Sequence, residues 1–457
     1  MSLSLRFGVP VLALLGLCAS LRVAQAQPLD GMSRWWAQWN DPVLSALIQD
    51  AQTHSANIAQ AGLRIEQARA AAVAAGASLR PSVGVNAGAQ RGTVQIGAGV
   101  ITANQVSLTL PASWEIDLFG RVAHSRDAAL ARLDGEQAQR DALQVALAAE
   151  TAAAYLQFRF CEAQKTLAQR ESESRSKTAR ALEGAVQAGL AAPVQLAQAR
   201  SAQADAQQRL VAQATDCEAF VQSLGVLTAK DTAALRTQLQ AGAGQLPRPR
   251  NIEVRELAAS LLTQRPDVAA AEKAVAAASA DLGAARAERY PRLSLNGSIG
   301  PLLLAAGGVS TTLLTWSIGP ALSLPVLDGG KRAANEEVAR VAYAAAEVRY
   351  RETARRAVQE VEEALLRARA AAERQPSLDA TRRAQQSVHD AVAARQAAGL
   401  ASALERDEAV RALIAVDGAQ LALHREQLAA WLQLYRALGG GWQQPATGQA
   451  ASPASKG

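Results

Sequence analysis

The sequence predicts a mainly α-helical protein with a small β part of membrane-strand length, built as a tandem duplication of long helical hairpins. Three observations carry this. One offset of 210 residues superposes the two halves, pairing Pro81 with Pro291, Asn86 with Asn296, Gly120 with Gly330, Glu150 with Glu360, Arg159 with Arg369 and Gly189-Leu190 with Gly399-Leu400. The stretch from Arg121 to Gln187 contains no proline, and at 1.5 Å per residue such a helix would be about 100 Å long. Aromatics make up only 4% of the 457 residues while alanine is in excess, a composition suited to long helices in close approach rather than to a thick globular core.

The chain opens on a leader. Arg6, an apolar run from Val9 to Leu17 and Ala24-Gln25-Ala26 read as a secretory signal, residues 1–26, with the mature chain beginning near Gln27. Leu15-Gly16-Leu17-Cys18 also approximates a lipoprotein cleavage box, so cleavage after Ala26 and lipidation at Cys18 both stand as readings. After residue 27 no run of 18 apolar residues occurs, so entry into a membrane would require a barrel.

Each repeat then reads alike: the first over 27–245, the second over 246–444, with a disordered tail at 445–457. A helix at about 42–79, and its mate at about 252–289, ends before Pro81 or Pro291. Alternating residues follow (Val83, Val85, Ala87; Leu293, Leu295), then a glycine turn (Gly92 to Gly99; Gly307-Gly308) and a return strand. Gly120 or Gly330 opens the long helix. Pro376, whose mate is Thr166, predicts a kink or break in the second copy. Gly189 and Gly399 permit tight reversals into returning helices that end near 225 and 438. Four strands in one chain leave two edges and no lumen, and a long hairpin cannot bury its apolar face alone, so several copies must share one barrel.

Composition and motifs exclude other classes. The 47 basic and 41 acidic residues intermingle, without the basic stripe and stacking aromatics of a nucleic-acid binder. His54, His124, His389 and His424 stand singly, so no metal set or cofactor is expected. No convergent ionisable groups suggest an enzyme. Asp328-Gly329-Gly330-Lys331 lacks the upstream glycine of a phosphate loop and reads as a strand-to-helix junction. Trp114, Phe119, Tyr290 and Trp316 read as an interfacial aromatic belt at strand ends. Cys161 lies as far before Gly189 as Cys217 lies after it, 28 residues each way, which predicts a disulfide across an antiparallel hairpin in an oxidising compartment.

Five segments carry a family resemblance: Arg34-Trp35-Trp36-x-x-Trp39-x-Asp41-Pro42; Trp114-Glu115-Ile116-Asp117-Leu118-Phe119-Gly120-Arg121; Gln264-Arg265-Pro266-Asp267-Val268; Pro325 to Gly330; and Tyr435 to Trp442. In that order the chain resembles the TolC-like outer membrane efflux proteins, in the NodT-type subclass serving resistance-nodulation-division pumps. The resemblance implies a homotrimer whose four strands per chain close a 12-stranded barrel in the outer membrane, above a helical tunnel across the periplasm. It implies a periplasmic adaptor and an inner-membrane pump as partners, and small exported substrates such as drugs. Heavy-metal export or type I secretion is the alternative within the fold; a periplasmic adaptor would have one hairpin in a β-rich chain. By the same resemblance Gly189, Leu190, Gly399 and Leu400 would be adaptor-docking tips. An acidic residue at Glu408 would face the narrow periplasmic end, joined by Glu405 on the same helical face, where the first repeat has Gln198 and Gln195.

Overall fold

The computed structural model describes residues 35–36, 38–96, 99–247, 265–306, 308–324 and 326–442; Cys18, the leader and the tail lie outside them. The first repeat comprises α1 (Pro42–His54), α2 (Ala56–Ala77), β1 (Ser82–Val83), β2 (Asn86–Ile96), β3 (Gly99–Ile116), α3 (Arg121–Gln187), α4 (Pro193–Thr228) and α5 (Thr232–Gln240). The second comprises α6 (Pro266–Ala287), β4 (Arg292–Ala306), β5 (Val309–Ser323), α7 (Lys331–Ala397) and α8 (Ala403–Ala437).

Several elements differ from expectation. The first helical segment is two helices, because Ser55 is extended and its hydroxyl accepts from the Ile58 amide, capping α2. The start of its mate near 252 lies outside the described residues. β2 runs through Gly92 and Ile96 pairs with Gly99, so the first hairpin turns at the far end of the expected Gly92–Gly99 stretch. Pro376 does not break α7, which continues for 67 residues. Its flanks are clamped: Gln375 donates to Asp379 at 2.8 Å, while Gln420 of α8 donates to Asp379 at 2.9 Å and Gln427 to Gln375 at 3.2 Å. Tertiary bonds thus offset the lost backbone hydrogen bond.

The strands form one antiparallel sheet in which β1 and β2 pair with one side of β3, followed by β4 and β5. Cross-strand register assigns the faces. Leu110 opposes Ile299, which opposes Trp316, so even positions of β3 and β5 share a face with odd positions of β4. That face presents Val106, Leu108, Trp114, Leu314, Ile318 and Leu322, all exposed in the single chain. The other face carries hydroxyls and amides that bond one another: Ser113 donates to Asn296 at 2.8 Å, and the Ser298 and Ser317 hydroxyls lie 3.0 Å apart. Trp316 sits in mid-strand rather than at an end, whereas Phe119 stacks on Tyr290 at 4.7 Å where sheet meets helices. Among the described residues no helix is long and apolar enough to cross a membrane.

The largest core lies at mid-length, where Trp36, Trp39, Leu47, Tyr155, Leu224, Leu235 and Tyr435 join α1, α3, α4, α5 and α8. Elsewhere alanines such as Ala128, Ala206 and Ala364 let helices approach. α7 buries only Ala357, Val361, Ala364 and Ala371 and leaves Val338, Val348 and Leu366 exposed.

Candidate functional site: the hairpin tips and the belts above them

Both hairpins turn by the same backbone device. Gly189 has φ +71° and Gly399 φ +76°, the left-handed region open to glycine. The Leu190 amide donates to Ala185 O at 2.7 Å and the Gly189 amide to Val186 O at 3.0 Å; Leu400 and Gly399 repeat this on Arg395 O and Gln396 O. These paired bonds end each long helix with its carbonyls satisfied. They also project Leu190 and Leu400, 83% and 69% exposed, from the two tips.

The tips differ on their returning side. Pro193 starts α4 without a side-chain cap. Ser402 caps α8 in a capping box: its hydroxyl accepts from the Glu405 amide at 3.1 Å, and its amide donates to the Glu405 carboxylate at 2.6 Å. The Ser402 amide, with help from the Ser402 hydroxyl and Arg395, holds the Glu405 carboxyl below the usual carboxylate range. Ser402-Ala403-Leu404-Glu405 is itself a capping-box signature, so this engagement was legible. Glu408 is exposed.

Between them lies a residue that no sequence motif singles out. Asp407 is 1% exposed and accepts from Ser174 Oγ at 2.8 Å, Arg175 at 3.1 Å and Arg411 at 3.1 Å. It ties α8 of the second hairpin to α3 of the first. The Arg411 contact follows the helical i, i+4 rule, the one local signal for it. A second belt repeats the theme: Asp417 of α8 meets Arg170 of α3 at 3.1 Å and Arg382 of α7 at 2.9 Å. Further along the first hairpin, Cys161 and Cys217 join α3 to α4, with sulfurs 2.07 Å and Cα atoms 5.4 Å apart. Among the described residues no His, Cys, Asp and Glu cluster of three or more could hold a metal ion.

The five sequence motifs are joints. Asp117 accepts from the Val122 and Ala123 amides at 3.1 and 2.7 Å, and Glu115 pairs with Arg121 in a two-pronged bond, fixing β3 to α3. Asp328 does the same for α7, through Gly330 and Arg332, so a carboxylate fills the place a phosphate would need. Arg265 is buried against Asp267, Glu360 at 2.8 Å and Ala437 O at 3.1 Å. Asp41 caps α1 and accepts from Tyr155, which accepts from buried Arg159. The Trp442 indole donates to Asp141 at 2.9 Å.

Comparison with known proteins places this architecture. The family described as outer membrane efflux protein matches residues 47–229 and 257–440. Nodulation protein T of Rhizobium leguminosarum bv. viciae is 31% identical over 73% of this chain and 69% of its own length. The pyoverdine export outer membrane protein OpmQ of Pseudomonas putida is 32% identical over 92% of this chain and 90% of its own. The solved outer-membrane channel OprN has 27% identity and a TM-score of 0.81, covering 90% of this chain and 93% of that one. The chain, duplicated, hairpin-tipped and matched along both repeats, belongs to the outer membrane efflux protein family.

Proposed function

We propose that three copies of this chain form the outer-membrane channel of a tripartite efflux system. It would pass small substrates, drugs or similar compounds, from an inner-membrane resistance-nodulation-division pump and a periplasmic adaptor to the outside. The observation that carries this is the sheet: four long strands that, over the part nearer the helices, are apolar on one face and hydroxylic on the other, with β2 and β5 each paired on one side among the described residues. Three such sheets joined edge to edge leave no edge. The exposed Val338, Val348 and Leu366 of α7 call for neighbours in the same ring. That relatives carry pyoverdine-export names supports a small-molecule cargo. No catalytic role is proposed; the work of transport belongs to the pump.

In this reading Leu190 and Leu400 are the apolar studs on which the adaptor docks, and Gly189 and Gly399 let the tips turn. The gate charge comes from the second hairpin. Glu408 reaches into the passage, while Glu405 stays on its own helix end as a fixed, ionised neighbour. Three-fold repetition crowds these carboxylates and draws cations. The test is planar-bilayer recording of Glu405→Ala with Glu408→Ala. Cation selectivity and block by multivalent cations should both weaken; if neither changes, these residues are not the gate.

A further inference from the structure

We infer that the outer ends of the strands form an apolar collar at the channel exit, a constriction separate from the helical tips. The inference rests on the trimeric reading above. In the β sheet the two faces exchange character partway up. As far as the row of Val106 and Leu303, the outward face is apolar. From Thr312 of that row onward the face carries Arg91, Thr93, Thr102, Asn104 and Ser310, with Val100 and Ala305 the apolar exceptions. The inward face changes in the opposite sense. Below, it is lined by Ser113, Asn296, Ser298 and Ser317; above, it turns to Ile101, Ala103, Leu302, Leu304, Val309 and Leu313. Gln90 and Gln105 lie in the same zone but hydrogen-bond to each other.

A wall with water on both sides would gain nothing from apolar residues turned inward. They are useful only if they meet. Ala103 is already 3% exposed in one chain, and Leu302 and Leu304 are half-buried. The exchange also coincides with a flaw in the β3–β4 ladder. Pairing stops after Ser107 and Leu302 and resumes at Leu110 and Ile299, leaving Leu108 and Thr109 opposite Pro301 and Gly300. Proline has no amide to give there, and a Cβ on Gly300 would run into the Leu108 carbonyl. Strands bend at such points. β4 and β5, 15 residues each, would rise about 38 Å when tilted at about 40°, against an apolar band of about 25 Å. About 10 Å of strand above the bend is thus free of lipid and can lean inward. An apolar constriction of that kind sheds water when empty and closes to ions, and it yields to the apolar body of an amphiphilic permeant.

The test uses Ser298→Cys, which lies on the inward face below the collar, and a bulky membrane-impermeant maleimide added to intact cells. Leu302→Ser, Leu304→Ser and Leu313→Ser combined should speed labelling by about tenfold. Thr311→Leu, which extends the apolar surface and disturbs no packing below it, should slow it. Equal rates in all three backgrounds would overturn the collar. Leu314→Cys, on the lipid face, separates the two claims. If it labels as readily as Ser298→Cys, the barrel itself is wrong and the collar falls with it. If it stays unlabelled while the collar variants change nothing, the collar alone falls.

Discussion

A carboxylate taken out of water is costly unless its oxygens are all engaged, and Asp407 meets that cost with three donors from two helices. Asp407→Ala would leave Arg175 and Arg411 facing each other without their shared anion. We expect a loss of about 2 kcal/mol per chain, below the full cost of breaking a buried pair because Arg411 reaches solvent. With α8 released from α3, single-channel conductance in planar bilayers should rise; an unchanged conductance would show that this tie does not restrain the passage. Asp267 makes a pH-dependent counterpart. Burial pushes its carboxyl up, but the Arg265 guanidinium outweighs that and holds it below the ordinary value. A depressed carboxyl contributes stability above its unfolded pKa, near 4, and loses it as pH falls through the folded value. Asp267→Asn should therefore lower thermal stability at neutral pH by about 1 kcal/mol, a modest figure because the side chain is 41% exposed. The gap from the parent should close below about pH 4 in melts across pH.

At the scale of elements, the long helices were legible because nothing in Arg121–Gln187 interrupts them, and both copies end on a left-handed glycine. What escaped was set by other principles. Ser55 splits the first helix by a single hydroxyl cap, a signal lost within an otherwise periodic stretch. Gly92 looks like a turn residue, yet its cross-strand partner Ala103 holds it in β2. Pro376 obeys its neighbours on α8 rather than its own preference. At the tips, the resemblance implies a gate charge at Glu405, and its carboxylate also caps its own helix. The Cys161–Cys217 link spans 56 residues, a closure worth about 4 kcal/mol in the chain-entropy account. It binds one hairpin and has no counterpart in the other, since the mates of these positions are Ala371 and Gln427. Thiol titration of the denatured, unreduced mature protein should find neither cysteine free. Cys161→Ser with Cys217→Ser should lower the thermal midpoint; two free thiols in the parent would dispose of the bridge.

For the whole molecule, the sequence motifs mark joints rather than a reactive site. Arg265, Asp41 and Trp442 fix helices around the mid-length core, and the two Asp-to-helix junctions fix the strands to the long hairpins. Residues of this kind are legible as a pattern because each needs a specific partner. Asp407, Gly300 and the inward leucines of β4 were not, because their meaning depends on which elements meet. The central claim is that one chain is a third of a channel. Among the described residues β2 and β5 each pair with one strand, and the Val338 and Leu366 faces of α7 lie open. Mass measurement of the purified protein in mild detergent tests it most directly. Three chains per particle are predicted; a stable, folded monomer in detergent-free water would contradict it.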